Sequence, residues 1–228
     1  MSGARRDFFV TGTDTGVGKT LVSAALLRAL RGQGLAVAGM KPVASGAART
    51  PGGLRNEDAL ALAAESSRPW PYETINPYCF EPAIAPHIAA AEAGVGIRLE
   101  PIEQAFRRLQ AGSDTVIVEG AGGFLVPLGS RLSFADLPGA LGLDVMLVVG
   151  LRLGCLNHAF LTAEAIGARG LRLAGWVGNQ VDPVFARHDE NVAALRQGLA
   201  APCLGIVRYA AAVAVAGAAE SLDLAMLS

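Results

Sequence analysis

The sequence predicts an α/β fold: a mostly parallel, twisted sheet with helices on both faces. Two observations carry the prediction. Short, continuously apolar runs of strand length alternate with longer stretches whose apolar residues recur at helical spacing. The first such run also feeds straight into a glycine-rich loop that opens a helix. Ligands of such sheets collect at the carboxyl ends of the strands, so the residues just after each apolar run are where chemistry is expected.

In chain order, Phe8-Phe9-Val10 is a buried-strand run. From Lys19 to Arg31 the residues Leu21, Val22, Ala25, Leu26, Ala29 and Leu30 keep a helical period, and Gly32 and Gly34 end that helix. Leu35–Lys41 (LAVAGMK) reads as the next strand, followed by a long loop, PVASGAARTPGGLRNED, from which a helix starts near Asp58. Helices are expected over Ile84–Ala93, Ile102–Ala111, His158–Ala168 and Asn191–Leu199. Strands are expected over Thr115–Gly120 (TVIVEG), Asp144–Gly150 (DVMLVVG) and Leu171–Asn179 (LRLAGWVGN). No internal repeat or linker interrupts the pattern, so residues 1–228 read as one domain. The closing stretch AAAVAVAGAAESLDLAMLS is alanine-rich and carries little pattern.

Composition narrows the class. With 228 residues, 52% hydrophobic, 17% charged and a formal net charge of −1, the chain is neither basic enough for a nucleic-acid partner nor polar enough for disorder. Cys79, Cys155 and Cys203 are far apart and odd in number, against a disulfide framework or zinc site and in favour of a reducing compartment. The opening MSGARRDFFV loses its apolar run at Thr11, too early for a signal peptide, and no apolar stretch reaches the about 18 residues of a membrane span. The expectation is a cytoplasmic enzyme or ATPase with no membrane partner.

The chemistry starts at TGTDTGVGKT, Thr11–Thr20. Gly18-Lys19-Thr20 closes it like a Walker A phosphate loop, but Thr13 stands where the first glycine belongs, Gly12 is one place early, and Asp14 adds a negative charge. The strand–loop–helix context is the required one, so the fold is expected to be of the P-loop NTPase type. Gly16, Val17 and Gly18 would turn backbone N–H groups toward phosphate oxygens, Lys19 would reach the β/γ-phosphates, and Thr20 would sit on Mg²⁺. Glu119 directly follows a strand and is a natural second Mg²⁺ ligand, while Gly120, Ala121 and Gly122 behind it let backbone approach the nucleotide. Asp58 has two readings, a third ligand or an ordinary first-turn helix charge.

Lys41 ends its strand and is followed by Pro42. It is either a solvated cap or, with the phosphate loop on the adjoining strand, an ammonium facing the γ-phosphate; Ser45 could add a hydroxyl. The turn LRLGCLNHAF opens a helix near Asn157, which reads either as an ordinary cap or as an anion-binding helix start. Cys155 there is either a low-pKa thiol or a packing residue.

Taken together, FVTGTDTGVGKT, AGMKPVASG, TPGGLRNEDALAL, INPYCFEPAIAPHIAA, VIVEGAGG, FADL, LVVGLRLGCLNHAFLTAEAI and LAGWVGNQV resemble the dethiobiotin synthetase family from residue 8 to about 181. The unusual loop spacing is itself a trait of that family. The resemblance implies an ATP- and Mg²⁺-dependent cyclo-ligase that converts 7,8-diaminopelargonic acid and CO₂ to dethiobiotin through a carbamate and a carbamic–phosphoric anhydride. It implies Lys19 and Lys41 as catalytic charges, Lys41 with Ser45 holding the carbamate, and Thr20, Asp58 and Glu119 holding the metal. It also implies Asn179 reading adenine, and Gly154, Cys155, Leu156 and Asn157 meeting the substrate carboxylate across a homodimer interface. Three departures stand out: Gly16 for an acidic residue of some members, Gln180 where aspartate often follows the asparagine, and CLGIVRYAAAVAVAG (Cys203–Gly217) in place of a G-E-I-P-like run, with Arg208 at the proline position. The nearest alternative is a regulatory P-loop ATPase of the partition or positioning type, against which Asp14 in the loop argues.

Overall fold

The structure, a computed structural model, describes residues 6–210 and 214–227. In chain order its elements begin with β1 (Phe8–Gly12), α1 (Lys19–Gly32), β2 (Val37–Met40), β3 (Val43–Ala44), β4 (Ala48–Thr50) and β5 (Gly53–Arg55). There follow α2 (Glu57–Glu65), α3 (Tyr72–Ile75), β6 (Tyr78–Cys79), α4 (Pro86–Glu92), α5 (Leu99–Ala111) and β7 (Thr115–Gly123). The remainder is α6 (Leu137–Leu141), β8 (Asp144–Leu151), α7 (Cys155–Ala168), β9 (Leu173–Gln180), α8 (His188–Gly198), β10 (Cys203–Val207) and α9 (Val215–Glu220).

Six strands form one sheet in the order β10-β9-β8-β1-β7-β2, and every pairing in it is parallel. The alternation of side chains across a strand builds a core on each face. Phe8 and Val10 of β1 join Ile117, Met146 and Val148 under α1, which contributes Val22, Ala25, Leu26 and Leu30. Phe9 points the other way, with Val116 and Val118, toward Ile102, Phe106 and Leu109 of α5. Leu147 and Val149 carry that second layer on to Trp176, Ala159 and Leu195 near α7 and α8.

The phosphate-loop strand is therefore central, flanked by β7 and β8. This corrects one expectation: β2, which leads to Lys41, is not the neighbour of β1, because β7 lies between them. Lys41 still arrives at the loop, since the register Met40↔Val118 sets it beside Glu119.

Several boundaries move for local reasons. α1 ends as a Schellman turn, with Gly34 at φ +87° and Leu35 N–H donating to the Leu30 carbonyl at 3.3 Å, so β2 begins at Val37 and not at Leu35. Gly170 does the same for α7, drawing Leu171 N–H back to Ile166 and delaying β9 to Leu173. α4 starts at Pro86, whose fixed φ suits a first helical position, and α7 starts at Cys155, ahead of Asn157. β10 is a strand the sequence reading did not place; it pairs with β9 through Val207↔Asn179 and brings the divergent segment into the sheet. Part of the alanine-rich tail also has a role, as α9 packs Ala218 into the core beneath α1.

Candidate active site

The loop after β1 wraps back onto its own sheet. Thr13 N–H donates to the Val148 carbonyl at 3.0 Å, and its hydroxyl accepts Gly150 N–H at 3.2 Å, which explains a threonine where the usual loop has glycine. Asp14 caps the turn by accepting Thr15 N–H at 2.7 Å, and its other oxygen accepts the Arg152 guanidinium at 2.5 Å. The loop's unusual negative charge is thus paired, by an arginine that the motif gave no signal for. Gly16 and Gly18 take left-handed φ values of +72° and +87°. At Gly18 a side chain is excluded twice over, because a Cβ would lie 2.1 Å from Asn179 Nδ2. Val17 is fully buried and anchors the loop between Gly12 and Gly150.

The loop opens into a cleft of about 710 Å³, lined among others by Gly16, Lys19, Thr20, Lys41, Ser45 and Asp58. Lys19 Nζ donates to the Asp14 carbonyl at 3.0 Å. Burial, reinforced by the charge of Lys41, pulls its pKa down to about 8. Thr20 donates to Glu119 Oε1 at 2.9 Å. Lys41 is not a solvated cap: it is 2% exposed, and its ammonium donates to Glu119 at 2.6 Å, the Gly120 carbonyl at 3.0 Å and Asp58 at 2.8 Å. Burial alone would lower its pKa, but the two carboxylates outweigh that and hold it above its usual value. Asp58 lies in the first turn of α2 and also meets Lys41. Burial would raise its pKa, but Lys41, together with Thr20 and Lys19, holds it below the usual value.

Glu119 is fully buried, with Oε1 saturated by Thr20 and Lys41 and Oε2 buried without a hydrogen-bond partner among the described residues. An unpartnered buried carboxylate oxygen is costly unless a cation or donor meets it. With Asp58 and Thr20 beside it, that oxygen makes a donor set of hard oxygens, which fits Mg²⁺ next to a polyphosphate. Ala121 and Gly122 line the same cleft.

Asn179 reaches the loop from β9, but in a way the sequence did not suggest. Its Nδ2 donates to the Val17 carbonyl at 2.9 Å and packs against Gly18, so one side of its amide braces the phosphate loop. Gln180 accepts Tyr209 N–H at 3.4 Å, and the exposed Arg208 turns to His188 and Asp189 at the start of α8.

The turn at Gly154–Asn157 does not line this cleft within one chain. Gly154 caps α7 in the left-handed region at φ +92°, and Asn157 is the third residue of the helix, within its first turn, so it is not the cap. Cys155 is a packing residue, 2% exposed, and its thiol pKa is raised by burial, the opposite of an activated thiol. Ala83, Ile84, Ala85 and Pro86 also line the cleft and were not among the expected site residues; the sequence placed Ile84 onward in a helix, whereas α4 starts only at Pro86.

The chain is similar to proteins of known kind. Residues 6–215 match a family model described as an AAA domain. The ATP-dependent dethiobiotin synthetase of Xanthomonas oryzae pv. oryzae is 54% identical over 217 residues, covering 95% of this chain and 97% of the relative. That of Pseudomonas paraeruginosa is 55% identical over 218 residues, covering 95% and 96%. Among solved structures, the MinC:MinD cell division protein complex of Aquifex aeolicus aligns with a TM-score of 0.58 at 15% identity, over 96% of this chain and 87% of the other. A ParA family ATPase from Chlorobium tepidum gives 0.58 at 14%, over 91% and 86%. At those identities the likeness is one of fold.

Proposed function

The chain belongs to the ATP-dependent dethiobiotin synthetase family, and from that premise we propose how its cleft converts 7,8-diaminopelargonic acid, CO₂ and ATP to dethiobiotin, ADP and phosphate. One amine nitrogen forms a C–N bond to CO₂ and loses a proton, giving a carbamate. A carbamate oxygen bonds to the γ-phosphorus as the ADP oxygen leaves. The second amine then attacks the carbonyl carbon and loses a proton, phosphate departs, and the cyclic urea closes.

The observation that carries this reading is the convergence, at one loop, of Lys19 from the start of α1 and Lys41 from the end of β2 with Thr20 and two carboxylates. Phosphoryl transfer asks a protein mainly for positioning and for cancellation of charge on equatorial oxygens. Lys19 supplies that charge from the loop, and Lys41 from the far side of Glu119, where with Ser45 it holds the carbamate. Gly16, Val17, Gly18 and the Gly120–Gly122 backbone cradle the nucleotide, and Asn179 faces its base. Thr20, Asp58 and Glu119 would hold Mg²⁺, which would offset the negative charge of the phosphates.

We further read residues 1–228 as one domain, supported by a six-stranded main sheet whose strands are drawn from Phe8 to Val207. A homodimer completes the substrate site through Gly154, Cys155, Leu156 and Asn157. Exposed apolar side chains on and beside α7 support that surface: Leu153 is 93% exposed and Leu161 56%. No helix among the described residues is long and apolar enough to cross a membrane, in keeping with a cytoplasmic biosynthetic role.

The test is phosphate release from MgATP and bicarbonate with and without the diamine, with mass spectrometry of the product. Diamine-dependent release with the ring product supports the reading. Release indifferent to the diamine would instead support a regulatory ATPase of the partition or positioning type.

A further inference from the structure

Three of the site groups come from neighbouring segments, Lys41 and Ser45 from the stretch between β2 and α2 and Asp58 from the first turn of α2, and none of them lies inside a sheet strand. Their backbones therefore need support from outside the ladder, and the structure supplies it through one side chain. The Tyr72 hydroxyl, at the start of α3, accepts Asn56 N–H at 2.7 Å and donates to Asn76 Oδ1 at 3.0 Å. Asn76 is 2% exposed, and its Nδ2 donates to the Lys41 carbonyl at 2.7 Å and the Tyr78 carbonyl at 3.0 Å. The Lys41 N–H in turn donates to the Ile75 carbonyl at 2.8 Å, so both backbone groups of Lys41 are held by the α3 corner. Asn56 is the N-cap of α2, accepting Ala59 N–H at 3.2 Å, and its Nδ2 donates to the Ser45 carbonyl at 3.2 Å. Asp58 follows two residues into that helix.

We propose that Tyr72 is a positioning residue for the reaction: its hydroxyl locks Asn56 to Asn76 and so sets Asp58 and Ser45 in register with Lys41. The inference rests on the reaction assigned above, but the geometry at its centre is independent of the substrate. Tyr72 is suited to the role. The Arg55 guanidinium stacks over its ring at 4.1 Å and fixes the ring plane. Burial pushes its phenol pKa up to about 12, so the hydroxyl keeps the proton it donates to Asn76. Both asparagines are buried, and each has its amide oxygen and nitrogen bonded in this network, so neither can swing to another partner without leaving a polar group unpaired. None of these contacts touches the phosphate loop.

That separation defines the test. Tyr72→Phe keeps the ring and the stacking and removes only the hydroxyl. Affinity for a fluorescent ADP analogue without Mg²⁺, which depends on the loop, is expected to stay within twofold. The tightening of that affinity by Mg²⁺ is expected to shrink about tenfold, as is typical when a group supporting metal ligands is lost, and kcat for diamine-dependent phosphate release is expected to fall similarly. Asn56→Ser, which retains a good N-cap but not the Ser45 contact, should lower kcat with little change in the Mg²⁺ effect. Unchanged Mg²⁺ tightening in Tyr72→Phe overturns the proposal. So does a parallel loss of Mg²⁺-free affinity, which would mean general damage. The binding measurement needs no diamine, so it decides the role of Tyr72 even if the carboxylation reading fails.

Discussion

Lys19 and Lys41 are both buried, yet their environments move them in opposite directions, and that contrast has measurable consequences. Burial and the charge of Lys41 bring Lys19 down to about 8, so above that pH the free protein increasingly presents a neutral amine to the phosphates. ADP affinity should therefore be flat below pH 7 and weaken as pH rises through about 8. Fluorescence titration across that range checks this, and Lys19→Ala should flatten the profile while abolishing turnover. Lys41 behaves differently because Glu119 and Asp58 hold its proton. Lys41→Gln leaves the fully buried Glu119 without its cation, a loss of about 3–5 kcal/mol that urea denaturation would report. Mg²⁺ should restore part of that stability if Glu119 and Asp58 are metal ligands. The same variant should reduce kcat far more than ATP affinity; an unchanged kcat would remove Lys41 from the reaction.

Among the elements, the phosphate loop is the most constrained, and its two left-handed glycines differ. A Cβ on Gly16 meets nothing within 4 Å, whereas one on Gly18 strikes the Asn179 amide. Gly16→Ala should cost only backbone strain, about 1–2 kcal/mol. Gly18→Ala should cost more and lose nucleotide binding, with Asn179→Ala partly restoring stability in the double variant. Thermal unfolding of the four proteins measures this. The loop was legible from Gly18-Lys19-Thr20 because its chemistry is local in sequence. Glu119 was legible because it follows an uninterrupted apolar run. The pairing of Asp14 with Arg152 was not, since the two lie 138 residues apart and no period links them. Nor was the bracing of Val17 by Asn179, for the same reason. β10 was not legible because Cys203–Val207 is short, interrupted by Gly205, and buries only Leu204 and Val207.

The whole molecule places every proposed phosphate-binding and metal-binding group at one edge of an all-parallel sheet. The Gly154–Asn157 turn does not line that cleft within one chain. If a second copy completes the site there, specific activity should fall on dilution in step with the loss of dimer seen by mass photometry. A fully active monomer would remove that turn from the substrate site. Sheet class and helix-covered faces were readable from the alternation of apolar runs, whereas strand order was not, because parallel neighbours are set by crossovers far apart in the chain. The order has a consequence for synthesis. Phe8 must pair with Ile117 on one side and Asp144 on the other. At about 5–20 residues per second, the earliest strand leaves the ribosome roughly 5–30 s before both of its partners exist. During that interval the apolar strand and its glycine loop have no sheet partner. Slowing translation before residue 115 should raise the aggregated fraction of pulse-labelled protein, while the same delay after residue 151 should leave it unchanged.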